Sequence, residues 1–439
     1  MSTPALVEHL FRHEYGRLVA TLSRRVGVEH LHAVEDAAQV ALMRALEHWR
    51  IEGQPDAPSA WLFRVAHNHL IAELRKGAGR QRILARRGHG LDPGPEGGTA
   101  PEPPLAGELS DDLARMLFVC CDDVLPARSQ LVLALKTLCG FSVAEIGRRL
   151  FITEANVYKR LTRARERLRE QPPQLDGLST AQLEARVPAV LRVLYQLFTE
   201  GYLSSHAELA IREELCAEAL RLGLVLAEHP AGQTPPTAAL VALMYLHAAR
   251  LRGRADADGA LVLLEEQDRT QWNAEQIATG MQWLERSAAG DRFSRYHAEA
   301  AIAAEHCLAP SFEQTRWDTI AELYATLERL QPSPLHRLNR AVAIAEAEGP
   351  HAGLALLNGF EPPTWLEGSH MWPAVLAELH RRCGHEAEFT RHRALALTLA
   401  PTPAVRQLLL RSLGASPEPR PDATGHQPDE GRKCTLCYR

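Results

Sequence analysis

LPARSQLVLALKTLCGFSVAEIGRRLFITEANVYKRLTRARERLRE, residues 125–170, is the stretch on which the fold turns. Ser142 followed by Glu145 is a capping box, in which two side chains answer two orphan backbone N–H groups, and it starts a short helix over 143–150. Thr153 can cap the next helix. There Val157, Leu161, Ala164 and Leu168 fall on one stripe, while Lys159, Arg160, Arg163 and Arg167 lie off it and are free to face solvent or phosphate. Two helices joined by a short turn, the second one basic, make a helix-turn-helix. From Arg148 to Arg169 there are eight Lys and Arg against Glu154 and Glu166, a density suited to phosphate contacts. Asn156, Tyr158 and Lys159, near the start of the second helix, could reach base edges in a major groove. A basic amphipathic helix by itself is more often a solvated face; the capped helix in front of it is what points to DNA.

At 439 residues the chain is too long for one ordinary core, so two or three domains are expected. Apolar residues make up 46 %, with Ala and Leu dominant and β-branched and aromatic residues sparse, which favours an all-α fold. No run approaches 18 apolar residues, and Glu8, His9, Arg12 and Glu14 stand where a signal peptide needs an apolar segment. A cytoplasmic protein without a membrane segment is expected. The eight cysteines show no repeating framework and read as buried thiols in a reducing compartment. The formal charge of −5 hides an asymmetry: residues 1–170 hold 24 Lys+Arg against 21 Asp+Glu, and the remainder 25 against 33. A surface for an acidic polymer therefore belongs in the first part.

Residues 5–77 read as a compact helical unit. Leu6, Leu10, Tyr15 and Leu18 mark its first helix, and Leu42, Leu46 and Trp49 mark one side of a second, from about Val34 to Trp49. EGQPDAPS (52–59) breaks the chain before a third helix through WLFRVAHNHLIAELRK. Residues 78–109, rich in Gly and Pro and acidic after Gly88, read as a flexible linker, and 110–170 as the helix-turn-helix unit. QPPQLDGLST (171–180) marks a second break. From 181 to 413 short amphipathic helices follow one another. Two stretches, 323–357 and 375–403, share a helix–turn–helix pattern, and Ala341, Ala343 and Ala345 sit where two helices could pack closely. The period fits either tetratricopeptide-like (TPR-like) hairpins or an irregular helical bundle. The polar, Pro-rich residues 414–439 read as a disordered tail.

The 125–170 segment resembles region 4 of the extracytoplasmic-function (ECF) sigma factors, promoter-recognition subunits of RNA polymerase in the sigma-70 family. The match lies in Leu125–Pro126, in Ser142, Glu145 and Ile146, and in Arg163, Ala164, Arg165 and Leu168. Phe151 departs from it, standing where the family's turn most often has Gly; positive φ is costly for such a residue. VEDAAQVALMRALEHW (34–49) resembles region 2.2 through Asp36 and Gln39, which implies docking on the clamp coiled coil of the polymerase's largest subunit. From its residues alone it is only an amphipathic helix with a polar face. APSAWLFRVAHNHLIAELRK (57–76) resembles regions 2.3 and 2.4 through Trp61, Leu62, Arg64, Ala66 and Asn68. The resemblance implies that residues 52–60 and Asn68 form a pocket for a flipped base of the −10 element. Opening a promoter requires unstacked bases to be captured, and aromatic and basic groups supply stacking and phosphate contacts. Arg64, Arg75 and Lys76 suit phosphates; Trp61 reads either as a core anchor or as a strand contact. The acidic linker, in place of an extra domain, assigns the ECF class, and the resemblance implies that it threads the RNA-exit path. LYQLFTEGY (194–202), LHRLNRAVAIAEAEGP (335–350) and GHEAEF (384–389) resemble the long helical extension of one ECF subgroup.

The expected protein is thus all-α: a region 2 bundle, a region 4 helix-turn-helix and a TPR-like domain over 181–413. Region 2 would bind core polymerase through Asp36 and Gln39 and the −10 strand through Trp61, Arg64, Asn68, Arg75 and Lys76. Region 4 would read the −35 element through Asn156, Tyr158, Lys159, Arg160 and Arg163. The C-terminal domain would modulate this through a regulatory protein or ligand. No Gly-rich phosphate loop, Ser/His/Asp grouping or paired-carboxylate motif supports catalysis, and no cofactor is expected. The alternative is a helix-turn-helix regulator with a sensing helical-repeat domain that never joins polymerase; a third reading is a repeat-type scaffold. Cys434 and Cys437 with His426 make only half a zinc site. His380, His385 and His392 do not share one helical face, so no metal is expected.

Overall fold

The computed structural model describes residues 3–85, 106–150, 152–173, 178–202, 213–254, 262–290 and 292–414. Among these the chain is all-α and forms two compact units, Met1–Gln196 with Leu224–Gln233, and Leu197–Gly223 with Thr234–Arg439. No described helix is long and apolar enough to cross a membrane.

The first unit holds α1 (Thr3–Val26), α2 (Leu31–Glu52), α3 (Pro58–Ala85), α4 (Ala106–Cys120), α5 (Ala127–Thr137), α6 (Val143–Leu150), α7 (Glu154–Glu170) and α8 (Thr180–Glu184). It also takes in the start of α9 (Val187–Tyr202) and the end of α10 (Glu213–Glu228). Leu18, Val19 and Leu22 of α1 and Leu62, Phe63, Ala66 and Leu70 of α3 are buried where the two helices meet. The buried side of α2 is Leu31, Val34, Glu35, Ala37, Ala38, Ala41 and Ala45. This corrects the expectation from Leu42, Leu46 and Trp49: Leu46 is 54 % exposed, because small side chains let α2 approach its neighbours closely and leave the larger ones outside.

Gln130, fully buried, braces the turn between α4 and α5. Its Nε2 donates toward the carbonyls of Cys121 (3.2 Å), Asp122 (3.1 Å) and Leu125 (3.3 Å). The boundaries of the 78–109 linker are corrected. Helix α3 continues to Ala85, since Gly77 and Gly79 cost only about 1 kcal/mol each in a helix and 80–85 are helix formers. Helix α4 begins at Ala106, and Asp112 is buried against Arg24 (Nη1–Oδ1 2.7 Å). Residues 86–105 lie outside the described residues. The break at 171–180 ends α7 but does not end the unit: Arg186 pairs with Asp122 (2.5 Å), and Val187, Val190 and Leu191 are buried. The border of the two units falls inside α9.

The second unit continues with α11 (Pro235–Ala248), α12 (Ala274–Ser287), α13 (Arg295–Leu308), α14 (Trp317–Leu330), α15 (Pro334–Ala347) and α16 (Pro350–Leu357). It ends with α17 (Thr364–Glu367), α18 (Met371–Arg382), α19 (Glu386–Thr398) and α20 (Pro403–Ser412). Successive helices pair as hairpins: α11 with α12, α14 with α15, and α18 with α19. Ala341, Ala343 and Ala345 are fully buried, and a Cβ at Gly353 would stand 2.6 Å from the Ala341 carbonyl oxygen and 2.8 Å from the Ala345 Cβ. Helix α16 thus meets α15 at backbone distance, as the small residues suggested. Burial pushes the Cys120 and Cys216 thiols up to about 12, so they pack as inert hydrophobes. Residues 415–439, with His426, Cys434 and Cys437, lie outside the described residues.

A Cβ at Gly16 would run into the Leu138 carbonyl oxygen, where α1 passes the end of α5. Gly16→Ala is therefore expected to destabilise the chain by about 1–3 kcal/mol. A urea melt followed by circular dichroism checks this; an unchanged midpoint would refute the close crossing.

Candidate nucleic-acid interface

The helix-turn-helix forms as its caps require. Ser142 N–H donates to Glu145 Oε2 (2.7 Å), Glu145 N–H donates to Ser142 Oγ (3.2 Å), and Asn156 N–H donates to Thr153 Oγ1 (3.3 Å). Val157, Leu161, Ala164 and Leu168 are the buried stripe of α7. Phe151 lies outside the described residues, but Gly147 bears on the same turn. It accepts from Ile152 N–H (3.1 Å), and a Cβ there would stand 2.9 Å from the Ile152 carbonyl oxygen. A glycine inside α6, not one in the turn, therefore lets α7 approach, a point the sequence reading missed.

Asn156, Lys159 and Arg163 are exposed and lie within about 60° of one another on α7. Arg160 borders them, half-buried. Tyr158 is 57 % exposed but sits roughly 160° round the axis from Asn156, on the flank that also carries Arg165. Four of the five residues expected to read DNA are brought together, and Tyr158 is not.

Helices α2 and α3 present two further faces. On α2, Asp36, Gln39, Met43 (56 % exposed) and Leu46 share one outward stripe. Asp36 accepts from His32 Nδ1 (2.9 Å). On α3, Trp61, Arg64, Asn68 and Arg75 fall on one side, with Lys76 at its margin bonded to Glu73 (2.8 Å). The Trp61 ring is half-buried, stacked on His48 (centroids 5.7 Å) and tilted against Trp49 (5.7 Å). It anchors α3 to α2 while one edge stays accessible.

The two groups of surfaces are joined by a contact that 130 residues of separation concealed: Arg165 on α7 donates to Glu35 on α2. Burial pushes the Glu35 carboxyl up, while Arg165 and then Lys136 pull it back. Lys136 lies over the buried Tyr15 ring at 5.5 Å. Glu35 Oε1, Arg165 Nε and the Tyr15 hydroxyl have no partner among the described residues.

Residues 10–80 match sigma-70 region 2 and residues 115–168 match sigma-70 region 4. The chain belongs to the sigma-70 family. It is an ECF-like sigma factor, a promoter-recognition protein of transcription initiation, with a C-terminal extension in which residues 186–288 match a family of unknown function (DUF6596). An uncharacterized protein of Rhizobium meliloti (strain 1021) is 36 % identical over 396 residues, covering 88 % of this chain and 92 % of its own length. No solved structure matches the chain.

Within the extension, the α18–α19 turn brings together groups that sequence spacing kept apart. Donor atoms of His380, Glu388 and His392 lie within 4.8 Å of one another, and the His380 and His392 rings stack at 5.5 Å. Three such donors can hold a divalent ion. In the sigma factor, however, the Arg391 guanidinium already fills the place of a cation, bonding Glu388 Oε2 (2.7 Å) and lying 3.1 Å from His392 Nε2. Trp272, Trp317 and Tyr324 are buried in the core of this unit.

Arg165→Ala leaves the Glu35 carboxylate buried without its cation and is expected to cost about 3–5 kcal/mol of stability. The double variant Glu35→Leu/Arg165→Met should recover most of that loss in thermal denaturation; equal melting of all three proteins would show that the pair contributes nothing.

Proposed function

We propose that this sigma factor binds core RNA polymerase through region 2, captures the −10 strand with α3 and places α7 in the major groove of the −35 element. The observation that carries the reading is the outward stripe Asn156–Lys159–Arg163 on a capped, otherwise well-packed helix. Its asparagine suits a base edge and its cations suit phosphates. The exposed Asp36, Gln39, Met43 and Leu46 favour a protein partner on α2, since large apolar side chains left outside a helix that buries alanines suit another surface. That partner is core polymerase, and its presence separates this reading from a regulator that acts alone. No catalytic role falls to the chain, which works in the cytoplasm; its C-terminal domain modulates the engagement.

The proposed reading makes the compact first unit the form of the free protein. Elements 25 base pairs apart are about 85 Å apart along B-DNA, whereas α7 and α2 are in contact through Arg165 and Glu35. Region 4 must part from region 2 on the promoter. The twenty residues between Ala85 and Ala106 span at most about 70 Å, which with the breadth of the two helical bodies covers that distance.

Lys159→Ala/Arg160→Ala/Arg163→Ala is expected to weaken promoter binding by the reconstituted holoenzyme and to reduce the log–log salt slope by about 3, with co-elution on core polymerase unchanged. Met43→Asp/Leu46→Asp is expected to abolish that co-elution. A protein that binds duplex promoter DNA tightly alone and never co-elutes with core polymerase is the regulator instead.

A further inference from the structure

Among the described residues of the second unit, Arg250, Arg254 and Arg269 form no salt bridge, although Glu313 acts on Arg269 at longer range. Arg250, just past α11, is 2 % exposed and Arg254 is 8 % exposed. Arg269 is half-buried. The guanidinium groups of Arg250 and Arg269 both lie over the Trp272 ring, at 5.1 and 4.6 Å from its centroid, and that of Arg254 lies over Tyr202 at 3.8 Å. Arg254 Nη1 donates to the Tyr202 carbonyl (2.6 Å), and Arg269 Nη1 donates to the carbonyls of His306 (2.6 Å) and Ala309 (2.8 Å). These bonds use neutral acceptors. Arg250 Nε and Nη1, Arg269 Nη2 and His306 Nδ1 remain buried without a partner among the described residues.

Elsewhere in the same unit the chain treats its sheltered arginines differently. Arg381 pairs with Glu378 (2.7 Å), Arg382 with Glu346 (2.6 Å) and Arg340 with Glu328 (3.4 Å). No carboxylate is ion-paired with Arg250, Arg254 or Arg269 among the described residues; Glu313 favours the charged form of Arg269 from a distance. A buried guanidinium without a counter-charge is expensive, and a planar fork of N–H donors matches an oxyanion bidentately. The buried Trp272 ring lies under the guanidinium groups of Arg250 and Arg269, and its own Nε1 has no partner among the described residues.

We infer that Arg250, Arg254 and Arg269, with His306 beside them, form a receptor for a small oxyanion, a phosphate or carboxylate group, inside the C-terminal helical domain. Such a site gives the domain a chemical input, and it holds whether or not the promoter reading does.

Full-length protein exchanged into chloride buffer is titrated separately with inorganic phosphate and with malonate, at ionic strength matched by potassium chloride, and followed by thermal shift and calorimetry. The expected result is saturable binding of at least one oxyanion, with a melting temperature that keeps rising with its concentration beyond the dissociation constant, and no such response to chloride. Response to phosphate alone identifies a phosphoryl ligand, and response to malonate alone a carboxylate. Arg250→Met should lose the response and melt higher than the parent without ligand, because the uncompensated charge is gone. Arg269→Gln, at the more exposed side, should weaken binding at least tenfold with the fold intact. The proposal is overturned if neither oxyanion acts beyond chloride, or if the response survives Arg250→Met. It is also overturned if Asp256→Asn/Asp258→Asn lowers the melting temperature as far as the oxyanion raises it, since the chain would then supply its own counter-charge.

Discussion

The first unit depends on a single carboxylate–guanidinium contact, Glu35 with Arg165, placed where α7 meets α2. Both charges are taken largely out of water, so each is tolerable only because of the other. The consequence for α7 is rotational. With Arg165 turned inward to Glu35 and Val157, Leu161, Ala164 and Leu168 in the core, the helix has one remaining side to present, and Asn156, Lys159 and Arg163 lie on it. The contact is also incompletely satisfied, since Glu35 Oε1, Arg165 Nε and the Tyr15 hydroxyl lack partners among the described residues. Buried polar atoms without partners carry a cost, which is relieved when α7 parts from α2 in the proposed promoter complex.

The surfaces for partners follow from how the helices divide their side chains by size. Beyond Leu31 at its start and the paired Glu35, helix α2 buries alanines and a valine and leaves Met43 and Leu46 outside. The inner face permits close helix approach, and the outer face is left with apolar area for another protein. The C-terminal unit uses the same small-residue contact between α15 and α16, through Ala341, Ala345 and Gly353. Its departures from a plain helical stack are charged: arginines paired with glutamates in several places and, around Trp272, without a salt bridge among the described residues.

Much of this was legible as local pattern. The capping boxes, the Thr153 cap, the buried stripe of α7 and the outward position of Lys159 and Arg163 all follow from a period of 3.6 and the chemistry of helix ends. Reading by size failed on α2, where Leu42, Leu46 and Trp49 looked like the core face and alanines took that place. Reading by breakers failed twice. Gly77 did not stop α3, because isolated glycines cost too little, and the prolines at 172 and 173 marked a turn inside a unit and not its edge.

By itself, then, the sequence determined the all-α class, the helix-turn-helix and the family, because each is carried by residues within one or two helical turns of one another. Only the tertiary structure decided that Arg165 turns inward to α2 and that Asp112 belongs to the core through Arg24. It alone joined Glu35 to Arg165 and set Arg250 and Arg269 over one tryptophan with no salt-bridge partner among the described residues. The physical reason is common to all of these. An ion pair or its absence is a statement about residues 88 or 130 positions apart, and no local periodicity encodes what the other side of a helix will meet.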